Sequence, residues 1–140
     1  MNARIRIPAA ICTLLLVASL SACGQPAPTQ SAPGGAQPPA AVFDGAPTGA
    51  ATVEGGVQRI SVDVSQGFYD PTILTVKSGV PVEIVFGQGQ GCLASVLFPD
   101  FGVDQDLTNG GATVKLPAMK PGEYVFSCGM RMVFGKVVAR

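Results

Sequence analysis

The chain has 140 residues, with nine basic and nine acidic side chains and no histidine. Two of the basic residues, Arg4 and Arg6, lie in the first few positions, so residues 24–140 carry seven basic and nine acidic residues, a balance of about −2. This offers no clustered positive surface for DNA or RNA. The lack of imidazole removes histidine-based acid–base catalysis and every metal centre built on histidine.

Residues 1–23 have the layout of a secretion signal. Arg4 and Arg6 supply the charged start, and Ile11 to Leu20 form an apolar core too short to span a bilayer. The run Leu20-Ser21-Ala22-Cys23-Gly24 resembles the lipobox of bacterial lipoproteins. That resemblance implies lipidation at Cys23, cleavage before it, and an extracytoplasmic, membrane-anchored product; the other reading is an ordinary cleaved signal with an incidental cysteine. Acyl chains contribute roughly 0.8 kcal/mol per buried CH₂, so a multiply acylated Cys23 would be a durable anchor. Cys12 falls within the discarded segment.

Residues 24–56 are rich in Ala, Pro, Gly, Gln, Ser and Thr, with prolines at 26, 28, 33, 38, 39 and 47. No apolar period survives there, which predicts a disordered tether reaching on the order of 30 Å or more. Val42 and Phe43 interrupt its polarity.

From Val57 to Arg140 short apolar runs alternate with turn residues. Ile60, Val62 and Val64 alternate with polar positions; Ile73–Lys77 and Val82–Phe86 follow. Gly87, Gly89 and Gly91 precede Cys92 and the run Leu93–Phe98; residues 100–111 are polar and turn-rich. Ala112–Leu116, Glu123–Cys128 and Val133–Ala139 complete about seven strands. With no sustained helical period, this predicts an all-β domain over 57–140, a single antiparallel Greek-key sandwich.

No Ser, Asp or Glu stands in a nucleophile–base arrangement, which points away from an enzyme. Gly87–Gly91 lacks the lysine and following helix of a phosphate loop, and Asp100, Asp104 and Asp106 lack the spacing of a calcium loop. What remains is sulfur. Beyond Cys23 the only cysteines are Cys92 and Cys128, and Cys128-Gly129-Met130-Arg131-Met132 places a thiol and two thioethers at alternate positions. On an extended backbone the three would share one side, and a tight loop would also converge them. Cys and Met sulfur favour a soft monovalent ion, Cu(I) above all. The competing reading is a Cys92–Cys128 disulfide stapling an interaction module, which export favours but which leaves Met130 and Met132 without a role. Met119, ahead of Pro121, reads as structural.

Two stretches carry a resemblance to cupredoxins: Phe68-Tyr69-Asp70-Pro71-Thr72-Ile73-Leu74-Thr75-Val76-Lys77-Ser78-Gly79 continuing into Val82–Phe86, and Pro121-Gly122-Glu123-Tyr124-Val125-Phe126-Ser127-Cys128. In that family the second stretch delivers the copper cysteine. Here Cys92 and Met130 or Met132 stand where the two histidines would be, so a blue-copper electron-transfer site cannot form. The pattern Cys…Cys-x-Met-x-Met behind an anchor is similar to that of membrane-anchored Cu(I) chaperones of copper resistance. The resemblance implies one or two Cu(I) ions, and by the same chemistry Ag(I). Cys92 and Cys128 would be the main ligands, with Met130 and Met132 holding a weaker, exchangeable ion. A copper-exporting P-type ATPase is the implied partner. Arg131 departs from the family pattern, where glycine is common.

Overall fold

A computed structural model describes residues 38–140; the signal segment, Cys23 and residues 24–37 of the tether lie outside the described residues. Among these residues there are ten strands and no α-helix. The strands are β1 (Thr48–Ala50), β2 (Thr52–Glu54), β3 (Val57–Val62), β4 (Ile73–Val76), β5 (Val82–Phe86), β6 (Ser95–Phe98), β7 (Val103–Asp106), β8 (Ala112–Leu116), β9 (Gly122–Cys128) and β10 (Phe134–Ala139). One sheet runs β1-β4-β10-β9-β6-β7 and the other β2-β3-β5-β8.

The alternation read from the sequence sets the inward faces. Ile60 and Val62 on β3, Val82, Ile84 and Phe86 on β5, and Val114 and Leu116 on β8 are buried from one sheet. Leu74, Val76, Val96, Phe98, Phe126, Val137 and Ala139 are buried from the other. At the centre Phe98 stacks on Phe126 at 4.8 Å between ring centroids, and Tyr69 and Phe86 meet Phe126 edge-on at 4.9 and 6.0 Å. Each such ring contributes about 1.5–3 kcal/mol by burial and about 0.5–1.5 kcal/mol per aromatic pair beyond it. Gly135 pairs directly with Phe126 across β9 and β10, and a Cβ there would run into the Phe126 ring. That ring is locked among the other aromatics. Gly135→Ala is therefore expected to cost about 1–3 kcal/mol by overpacking, read as a drop in the denaturation midpoint.

Three expectations change. The sheets are mixed rather than antiparallel: β1 with β4, β4 with β10, and β3 with β5 are parallel pairs. Along the chain β3, β4, β5 and β6 alternate between the two sheets, which makes β3 and β5 neighbours with the same direction. The predicted seven strands omit β7, whose sequence Val-Asp-Gln-Asp is mostly polar; it pairs only with β6, at the edge, where backbone bonds hold it and little is buried. They also omit β1 and β2, three residues each and largely exposed. These two place the start of the sheets at Thr48, inside the stretch read as tether up to residue 56. A single extended segment thus serves both sheets, with Ala51 at the crossing donating its N–H to the Thr75 carbonyl at 2.9 Å. Just upstream, the Phe43 ring lies 5.0 Å beneath the Lys136 ammonium, which also pairs with Glu123 at 3.1 Å.

Candidate metal centre

Strand register is what unites cysteines 36 positions apart in the chain. Val96 pairs with Cys128, and Leu97 with Ser127, so β6 begins where β9 ends. The 3-10 turn Gly91–Ala94 leads directly into β6 and carries Cys92 to the same pole. That turn is stitched down on both sides. The Leu93 N–H donates to the Gln90 carbonyl at 3.0 Å, and the Gly89 N–H to that of Leu107 at 3.0 Å. The Leu107 N–H in turn donates to the Ala94 carbonyl at 2.8 Å. Leu93 and Leu107 anchor it as buried side chains. Gly89 is itself buried, and a Cβ there would collide with the Leu93 carbonyl.

Cys128 is the last residue of β9 and is fully buried. Beyond it the chain turns sharply. The Arg131 N–H donates to the Cys128 carbonyl at 2.8 Å, and the Cys128 N–H to the Val133 carbonyl at 2.9 Å. Arg131 takes a left-handed backbone (φ 53°), and Gly129 packs against Ser95, whose hydroxyl would stand 2.6 Å from a Cβ. The loop geometry, not an extended strand, therefore places the sulfurs. Backbone N–H groups of Met132 and Val133 both point at Cys128 Sγ, each at 3.4 Å. Met130 and Met132 ride on the outside of the same loop, 59% and 66% exposed. Met119 is buried beside the turn between β4 and β5, where its carbonyl accepts the Gly79 N–H. That turn is at the opposite pole.

The Cys92 and Cys128 thiols are free and close enough to bias each other's ionisation. Burial and the hydrogen bond to Cys128, with the charge of that neighbour, push the Cys92 thiol up. Burial works against ionisation of Cys128 too, but the bonds from the Cys92 thiol and from the Val133, Met132 and Met130 backbone outweigh it and hold Cys128 below the usual thiol range. Of the two, Cys128 is the easier to ionise. Among the described residues no group of three or more His, Cys, Asp or Glu is placed to hold a metal ion, so hard-ion and imidazole chemistry have no donor set here. Two thiols and two nearby thioethers fit a soft ion of low coordination number.

Sequence reasoning missed Tyr69. It is fully buried, and among the described residues its hydroxyl is the one buried side-chain oxygen or nitrogen without a hydrogen-bond partner. The tyrosine lies inside the first stretch used for the cupredoxin resemblance, but an isolated aromatic beside a proline gives no period from which to infer what its hydroxyl faces.

A family model described as a cupredoxin-like domain matches residues 40–139. Among solved structures, a copper binding protein determined in solution in its apo form is 35% identical, with 66% of this chain and 97% of that one covered at a TM-score of 0.61. The metal binding domain of the Cu(I) exporting P-type ATPase CopA of Streptococcus pneumoniae D39, determined with Cu(I), is 25% identical over 66% of this chain and 95% of that one, also at 0.61. No curated protein matches.

Proposed function

The chain belongs to the cupredoxin-like domain family, and from that premise we propose that it is an extracytoplasmic Cu(I) carrier or buffer, anchored through lipidated Cys23. The observation that carries this reading is the pair of thiols brought together from two distant strands, with two exposed methionines on the adjoining loop and no imidazole available. The two similar structures are named as a copper binding protein and as the metal binding domain of a Cu(I) exporter, which supports copper as the cargo.

Cys92 and Cys128 hold the ion as thiolates, leaving one net negative charge that the inward-pointing N–H groups of Met132 and Val133 offset. Met130 and Met132, neutral and exposed, capture the ion weakly and pass it inward by ligand exchange. This route takes up one ion, or two when the methionines keep their own. The same soft donors accept Ag(I). A copper-exporting P-type ATPase is the partner to or from which the ion passes. The work is transfer, without a bond made or broken in a substrate.

The direct test is an anaerobic titration of the reduced chain with Cu(I) against a competing chelator. Tight uptake of one or two equivalents supports the carrier. No uptake by the folded, reduced chain would leave a disulfide-stapled module in its place. A second prediction separates the two kinds of sulfur. Met132→Leu is expected to leave stability unchanged, because the side chain is exposed, and to lower affinity by no more than about tenfold, the lower end of what loss of a supporting group costs. Its main effect should be slower uptake from a weak Cu(I) donor, measured by stopped flow.

A further inference from the structure

Buried polar side chains are nearly always hydrogen-bonded, so the orphan hydroxyl of Tyr69 calls for a physical account. The residue is firmly held. Its carbonyl accepts the Thr72 hydroxyl at 2.6 Å, and the flanking backbone is fixed by the paired bonds between Asp63 and Asp70 at 2.8 and 2.9 Å. Its ring packs edge-on against Phe126 at 4.9 Å, and Phe126 lies two residues before Cys128 on the same inward face of β9. One ring, Phe126, thus links Tyr69 to the strand that ends in Cys128. Burial, then the charges of Cys128 and Cys92, drive its ionisation far above the usual phenol range, so it remains a donor at any physiological pH.

On the reading that this pair carries Cu(I), the geometry points to Tyr69 as a positioning residue whose O–H donates to a copper-bound cysteine sulfur. In the metal-free protein the hydroxyl donates to neither sulfur and to no other group. Loading the pair as thiolates releases the thiol protons to solvent and leaves negative charge on sulfur beside the core. A neutral donor in the adjoining core, unpaired before loading, then meets that charge. Its unsatisfied state without metal is a cost that loading removes, and the difference appears as affinity.

The test compares the full reduced chain with Tyr69→Phe under anaerobic conditions. The substitution deletes only the oxygen, so the metal-free variant should melt at or above the wild-type temperature. Its Cu(I) affinity, by chelator competition, should fall roughly ten- to hundredfold, the size of a hydrogen bond to a charged group. The ultraviolet thiolate-to-Cu(I) charge-transfer band should move to longer wavelength, because sulfur without the bond is easier to oxidise; packing alone would not move it. Wild-type affinity and band position in Tyr69→Phe would overturn the role of Tyr69 while leaving the copper site standing. Failure of the wild-type chain to take up Cu(I) would overturn both. A measurement without mutation gives a second check. On adding Cu(I), the Tyr69 Cζ resonance should shift, while that of Tyr124, whose hydroxyl already donates to the Lys120 carbonyl at 3.0 Å, should not. A stationary Tyr69 resonance would also overturn the inference.

Discussion

Cys92→Ser is expected to abolish tight Cu(I) binding in a domain that still folds. The turn holding Cys92 is fixed by backbone bonds and by buried Leu93 and Leu107, none of which involves the sulfur. Serine keeps the size and exchanges a soft donor for a hard oxygen that does not ionise near neutral pH. Changes to groups that merely support a ligand already cost about 10–100-fold in metal affinity; loss of one of two thiolates should exceed that range. Chelator competition measures it, with thermal denaturation of the metal-free variant as the control. Unchanged affinity would mean that copper binds elsewhere. The same substitution at Cys128 is less informative, since that side chain is buried and accepts two backbone N–H bonds that shape the loop.

Gly89→Ala should be the most damaging single methyl group outside the aromatic core. The added Cβ meets the carbonyl of Leu93, a backbone group inside the turn that carries Cys92, so no rotamer relieves the clash. Either the bond from Gly89 to the Leu107 carbonyl breaks or the turn shifts outward. We expect a loss of about 3 kcal/mol, the upper end for overpacking, together with weaker Cu(I) binding as Cys92 moves away from Cys128. Gly135→Ala makes the contrast. It strains the Phe126 ring rather than the turn that carries Cys92, so stability should fall more than the copper affinity of the surviving folded protein. If Gly89→Ala lost stability alone, the turn would not be what positions Cys92.

The central strands were legible because their side chains alternate: Ile60 and Val62, Val82, Ile84 and Phe86, Val114 and Leu116 are buried where a period of two puts them. The edges were not. The polar β7 and the short, exposed β1 and β2 are held by main-chain bonds to their neighbours, and backbone pairing leaves little trace in residue type. Strand direction escaped for a similar reason: alternation shows which face is buried but not which sheet a strand joins. The sulfur cluster could be read as chemistry, since apart from Met119 no other residue in the domain offers a soft donor. Its geometry could not. The left-handed Arg131 and the β6–β9 register bring Cys92 to Cys128 and leave Met130 and Met132 outside. Neither is encoded in a local pattern, and the partnerless hydroxyl of Tyr69 emerges only when the fold closes over it.

The placement of β1 also decides how the domain responds to force. β1, β4 and β10 lie side by side and point the same way, with Thr48 level with Ile73 and Lys136. A tension applied between the chain ahead of Thr48 and the chain beyond Ala139 pulls β1 and β10 in opposite senses along their own axes. The hydrogen bonds linking them through β4 are then loaded in shear and together, whereas an antiparallel terminal hairpin would unzip one bond at a time. A domain stitched this way resists stretching as a lap joint does, and gives way only when the whole seam slips.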